Sequence, residues 1–145
     1  MIKYLGLDLG TTTLGIAKSD LMGFVYPKEE FRFDRGNYRS ARKRIIEIMN
    51  ETGIGSVVIG YPIQLDGVEG ERCKSVERFC KDLRDEMPGI RIFIWNESFS
   101  TIEAHDRLKE SGYKEDKIKE VIDMYSAVVI LEDYLRNKPY DRRNY

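Results

Sequence analysis

The stretch "YLGLDLGTTTLGIAKSD", residues 4–20, decides how this chain is read. A short apolar run ends on Asp8, a Gly10-Thr11-Thr12 turn follows, and a second apolar run begins. That is the pattern of a β-hairpin. It predicts two antiparallel strands that open the chain and leave Asp8 at the end of the first. Such a hairpin can cradle a nucleotide phosphate, or it can present Asp8 as the first carboxylate of a metal site. Residues elsewhere must separate the two.

Working outward, "FVYPKEEFRF" (24–33) continues as a third extended segment, and "NYRSARKRIIEIMNETG" (37–53) has the period of a surface helix stopped by Gly53. "SVVIGYP" (56–62) is a continuous apolar run, expected of a parallel strand buried on both faces. After "IQLDGVEGE" comes "RCKSVERFCKDLRDEM" (72–87), a helix ended by Pro88-Gly89, and then "IRIFIWNE" (90–97), a strand finishing on Glu97. Ser100 and Glu103 have the spacing of a capping box, which predicts a helix over 101–111. Gly112 breaks it, "YKEDK" reads as a polar connection, and "IKEVIDMYSAVVILEDYLR" (118–136) reads as a long helix. The order β-β-β-α-β-α-β-α-α predicts an α/β domain with a hairpin at one side and helices packed on the sheet. No linker divides it, so residues 1–137 are expected to form one domain, followed by a charged tail over 138–145.

At 145 residues the chain can hide about two-thirds of its unfolded surface around one core. It carries no signal-like start and no apolar run of about 18 residues, so it is expected to be soluble and cytoplasmic, with no membrane partner. Lys and Arg number 24 against 25 Asp and Glu, a formal net charge of −1. Global charge therefore argues neither for nor against nucleic acid, and local patches matter more. Candidates are Arg39, Arg42, Lys43 and Arg44; Arg72, Lys74, Arg78 and Lys81; and Lys138, Arg142 and Arg143 in the tail. Interspersed acidic residues make solvated helix faces the default reading of each group.

Cys73 and Cys80 are the only cysteines and His105 the only histidine. Seven apart on a predicted helix, the two thiols lie about 10 Å apart along its axis, beyond disulfide reach. No thiol–imidazole zinc set can be built. A metal here must be held by carboxylates, which points to a hard ion, magnesium or manganese. His105 falls two turns into a helix and is expected at the surface or its boundary. Tyr61, Trp95 and Tyr125 could stack on bases, but their strand and stripe positions predict packing.

Three carboxylates stand where this layout converges: Asp8, Glu97 and Asp123. Strand ends that feed loops are where open α/β sheets bind ligands. Asp123 lies inside the apolar stripe "VIDMYSAVV", a costly position unless something pairs with it. Singly, each has an ordinary explanation as a turn residue, a solvated strand end or a stripe-edge carboxylate. Jointly, they have the make-up of a site in which carboxylates hold one or two ions against a scissile phosphate. The phosphate-cradle alternative, an ATP-binding module of the actin and Hsp70 type, needs a second lobe and a second phosphate loop. Neither is visible in the sequence.

"LGLDLGTTTLGIAKSD", "VVIGYPIQLDGVEGE", "IWNESFSTIEAHDRL" and "VIDMYSAVVILEDYL" resemble, in order and spacing, the four blocks of the YqgF family of Holliday-junction-resolvase-like proteins. The resemblance covers nearly the whole chain. It implies an RNase H-like fold, a mixed five-stranded sheet with an N-terminal antiparallel hairpin and helices on both faces. It also implies a Mg2+- or Mn2+-dependent nuclease, in bacteria one that trims the 5′ end of precursor small-subunit ribosomal RNA. The family's acidic residues fall on Asp8, Glu97 and Asp123, and Gly10, Thr11 and Thr12 fall in the loop that would meet the substrate strand. The implied partners are pre-rRNA or branched DNA, and a ribosomal particle. A monomer or a weak homodimer would serve. The pattern departs at Asn96 and Ser98, where the family usually has Asp and Arg around the glutamate, and at Thr12-Thr13, where a basic residue is common. Arg72 and Lys74, beside the "DGVEGE" loop, are the candidate substitutes for phosphate contact. Two other readings compete: a Holliday junction resolvase acting on four-way DNA, and a nucleic-acid-binding module that has lost turnover.

Overall fold

The computed structural model describes residues 2–62, 70–96 and 100–137. Its elements are β1 (Tyr4–Leu9), β2 (Thr13–Ser19), β3 (Val25–Arg32), α1 (Tyr38–Thr52), β4 (Ser56–Tyr61), α2 (Glu71–Glu86), β5 (Arg91–Asn96), α3 (Ser100–Glu110) and α4 (Glu115–Asn137). The strands form one mixed sheet in the order β3-β2-β1-β4-β5. β1–β2 and β2–β3 pair antiparallel, whereas β1–β4 and β4–β5 pair parallel.

β1 is the central strand, and all six of its residues are buried. Alternation along it divides the molecule. Leu5, Leu7 and Leu9 join Leu14, Ile16, Val57 and Ile59 in a core shared with α1 and α2. Tyr4 faces the other way, with Ala17 and Val58, onto Ala127, Ile130, Leu131 and Tyr134 of α4. Pro27 is tolerated in β3 because that strand is an edge, where a missing ladder donor costs little. The β2–β3 register slips between Ile16 and Ala17, so that Ile16 pairs with Glu29 and Ala17 with Pro27.

The helix boundaries follow local chemistry. α1 is capped by Asn37, whose side chain accepts from the Ser40 amide, and ends on Gly53 at φ 75°, a left-handed turn that glycine adopts without strain. α4 begins three residues earlier than its apolar stripe predicts. Glu115 and Asp116 occupy its first turn, where acidic side chains favour the positive end of the helix dipole, so "YKEDK" is largely helical rather than a connection. Cys73 and Cys80 are both free and buried on α2. Among the described residues, no helix is long and apolar enough to cross a membrane.

Candidate active site

Asp8 sits one residue from the end of the central strand and is only 6% exposed. Its neighbours in the chain, Leu7 and Leu9, belong to the core under α1 and α2, so its side chain takes the α4 face of the sheet. Directly opposite it in the ladder stands Gly15 of β2. A Cβ on Gly15 would collide with the Asp123 carbonyl group of α4. The glycine therefore lets helix backbone rest on strand backbone, one strand spacing from Asp8. The same device recurs at Gly6, where a Cβ would meet Leu131 Cβ at 2.8 Å and the Ala127 carbonyl at 2.9 Å. Asp123, Ala127 and Leu131 are spaced by four, one ridge of the helix, and that ridge lies along the two glycines.

The Thr13 hydroxyl donates to Oδ2 of Asp123. This is the pairing that a half-buried carboxylate on an apolar stripe requires. Thr13 itself is buried and closes the hairpin turn by accepting from the Gly10 amide through its carbonyl at 2.8 Å. Gly10 packs close to the Thr13 hydroxyl: a Cβ there would stand 3.2 Å from Oγ1. The end of β1 is also held from below, since Nη2 of Arg72 donates to the Leu9 carbonyl at 2.8 Å.

A fourth carboxylate lies in the same row. Glu30 of β3 pairs with Gly15 on the side away from Asp8. Its Oε1 accepts from the Met124 amide at 2.6 Å, and its Oε2 is buried with no hydrogen-bond partner among the described residues. Burial pushes its carboxyl up to about 7; the Met124 amide opposes this and the nearby charge of Asp123 adds to it. Two residues on, Nη2 of Arg32 donates to the Glu120 carbonyl at 3.1 Å.

Of the three predicted carboxylates, the fold thus brings Asp8 and Asp123 to one place. Glu97 lies outside the described residues. β5 ends on Asn96, level with Tyr61 at the end of β4, and both strands run parallel to β1 toward the Asp8 end. Thr11 and Thr12 form the exposed tip of the first hairpin. Lys74 is exposed and 3.8 Å from Glu71. The other basic groups on α1 and α2 mostly face acids: Arg42 lies 2.7 Å from Glu86, Arg44 2.7 Å from Glu29 and Arg78 3.4 Å from Asp82. Lys138, Arg142 and Arg143 lie outside the described residues.

His105 bridges to Glu115 at 3.0 Å on the surface. Tyr61 donates to Glu77, Trp95 donates to Asp133 at 2.6 Å, and Tyr125 packs edge-on against Tyr113. All four are engaged in packing or pairing, as their positions predict. Gly15, Glu30 and Arg32 escaped the sequence reading, and Thr13 stands there only as a departure from the family pattern. The one signal for them was a glycine inside a strand pattern, which often marks close backbone approach.

Among the described residues, no group of three His, Cys, Asp or Glu side chains stands close enough to enclose a metal ion. Two carboxylates do suit a hard cation that keeps several waters and takes further oxygens from a substrate phosphate. The donor set therefore fits magnesium or manganese and does not fit zinc.

A mixed five-stranded sheet in the order β3-β2-β1-β4-β5, with α1 and α2 on one face and α4 on the other, is an RNase H-like α/β fold. The fold is similar to that of Thermus thermophilus RuvC in complex with a Holliday junction substrate, with a TM-score of 0.58 at 12% identity over 94% of this chain and 96% of that one. The chain belongs to the RuvX family, described as Holliday junction resolvase, whose model matches residues 2–137. Relatives in Ruminiclostridium cellulolyticum (37% identical; 92% of this chain, 94% of the relative) and Geobacillus sp. strain WCH70 (38% identical; 94% and 99%) both bear the name "Putative pre-16S rRNA nuclease".

Proposed function

We propose that this protein is a divalent-metal-dependent endonuclease, cytoplasmic and acting as one domain over residues 1–137, that processes the 5′ end of pre-16S ribosomal RNA. The observation that carries the chemistry is the approach of α4 to Gly15, which sets Asp123 beside Asp8 although 115 positions separate them in the chain. The names of its relatives support the substrate.

Asp8 and Asp123, with Glu97 as the third carboxylate, would hold Mg2+ or Mn2+. When bound, the ion lowers the pKa of a water and stabilises charge developing on the scissile phosphate. The chain's own contribution is to hold those oxygens still. β2 pairs with Asp8 through Gly15 and β4 holds β1 as far as Leu7, Thr13 orients the Asp123 carboxylate, and Arg72 ties down the end of β1. Thr11 and Thr12 offer hydroxyls at the hairpin tip for the sugar–phosphate backbone, and Lys74 and Arg72 supply positive charge. Trimming a single RNA strand needs only a monomer.

A second reading, cleavage of four-way DNA, is favoured by the family's description as Holliday junction resolvase. Incubation of a precursor-rRNA 5′ fragment and of a four-way DNA junction with the protein and Mg2+ or Mn2+ separates the two. The expected result is cutting of the RNA at defined positions, abolished in Asp8→Asn. Cutting of the junction alone transfers the assignment to the second reading. Absence of metal-dependent cleavage of either substrate, or cleavage that persists in Asp8→Asn, overturns both and leaves a binding module.

A further inference from the structure

An amide ten residues into a 23-residue helix ordinarily bonds to the carbonyl four residues back. For Met124 that carbonyl belongs to Glu120. Here both groups of the rung have partners on β3: the amide donates to Glu30 Oε1 at 2.6 Å, and the carbonyl accepts from Arg32 Nη2 at 3.1 Å. Glu30 and Arg32 are two apart on the strand and so point to the same face. Their ladder partners on β2 are Gly15 and Thr13, the two residues that receive the Asp123 carbonyl and carboxylate.

One turn of α4 is thus gripped by four residues of two adjacent strands. Asp123 stands on that turn. A carboxyl group partly withdrawn from water, with one oxygen left without a partner among the described residues, is an expensive way merely to attach a helix to a sheet, where an apolar contact would serve. What it adds is direction, because a hydrogen bond to a backbone amide fixes the rotation and height of the helix at one residue.

We propose that Glu30 and Arg32 form a clamp that sets the position of Asp123 by holding the Glu120–Met124 rung of α4, and that both are positioning residues for the metal site. This rests on the reading of Asp123 as a metal ligand. Residues that hold a ligand from behind usually change metal affinity by about 10- to 100-fold when removed, and the same size is expected here.

The test is amide hydrogen exchange by NMR on the metal-free protein, combined with Mn2+ titration of wild type, Glu30→Ala, Glu30→Gln and Arg32→Ala. The clamp predicts that Glu30→Ala speeds exchange at Met124 by about tenfold or more and leaves Ile48 of α1 unchanged. The same variant should weaken Mn2+ binding by at least about tenfold. Glu30→Gln, which keeps a carbonyl oxygen for the amide, should retain most of both, and Arg32→Ala should show a smaller loss of the same kind. Unchanged Met124 exchange in Glu30→Ala, an equal rise at Ile48, or faster Met124 exchange with unaltered Mn2+ affinity each overturn the clamp. If wild type shows no Mn2+ response, the metal reading of Asp123 fails instead, and the comparison of Met124 with Ile48 still decides whether the clamp exists.

Discussion

Leu5, Leu7 and Leu9 alternate along β1 with Tyr4, Gly6 and Asp8, and the two sets meet different helices. On the leucine side, α1 and α2 stand off the sheet by the thickness of a filled apolar layer that runs from Leu14 and Ile16 to Phe79 and Leu83. On the other side, α4 descends until its backbone touches the strands at Gly6 and Gly15, and its polar contacts with β2 and β3, from Thr13, Glu30 and Arg32, gather at one turn. The first face derives stability from volume and tolerates small displacements. The second has given up side-chain volume at two glycines, and what it gains is a helix position fixed against Asp8.

The contrast predicts that changes on the α4 face act on chemistry and changes on the leucine face act on stability. The largest effect is expected at the carboxylates. Asp8→Asn should lower metal-dependent cleavage by about three orders of magnitude, the several kcal/mol that a metal's charge stabilisation represents, with the thermal midpoint little changed. Next comes a matched pair. Leu7→Ala should cost about 2–5 kcal/mol in urea unfolding, yet retain near-native turnover per folded molecule at low temperature. Gly15→Ala, which adds a single methyl group, should cost about 1–3 kcal/mol through overpacking and also lose activity, because the methyl must displace the Asp123 carbonyl. If Gly15→Ala is as active as wild type, the two faces do not differ in the way described. Thr13→Val should be milder, lowering Mn2+ affinity by about tenfold in titration and stability by about 1 kcal/mol. Smallest of all, Lys81→Ala on the outer side of α2, where Lys81 and Asp85 pair in solvent, should stay within about 0.5 kcal/mol of wild type and cleave normally.

Much of this division can be read from residue order, and part of it cannot. The leucines of β1, the apolar run of β4 and the stripe of α4 announce themselves by period, and Gly53 announces the end of α1. Asp8 and Asp123 could be picked out because a carboxylate is conspicuous at a strand end or within an apolar stripe. Thr13, Glu30 and Arg32 have no such signal. Their roles depend on which residues face one another across β1, β2 and β3, and on a register slip at Ile16–Ala17 that no local pattern encodes. Gly15 is an intermediate case, since a glycine inside a strand hints at close approach without saying what approaches. The early start of α4 at Glu115 was obscured because its first turn is acidic and lysine-rich, and the period of its apolar stripe begins only at Ile118.

The central claim is that α4 is seated on Gly15 so that Asp123 and Asp8 share one cation. A crystal structure of the wild-type protein grown with Mn2+ tests it directly. The expected result is an anomalous peak bound by carboxylate oxygens of Asp8 and Asp123, with the Thr13 hydroxyl still donating to Asp123. Manganese bound elsewhere, or bound by Asp8 with Asp123 turned away, would contradict it.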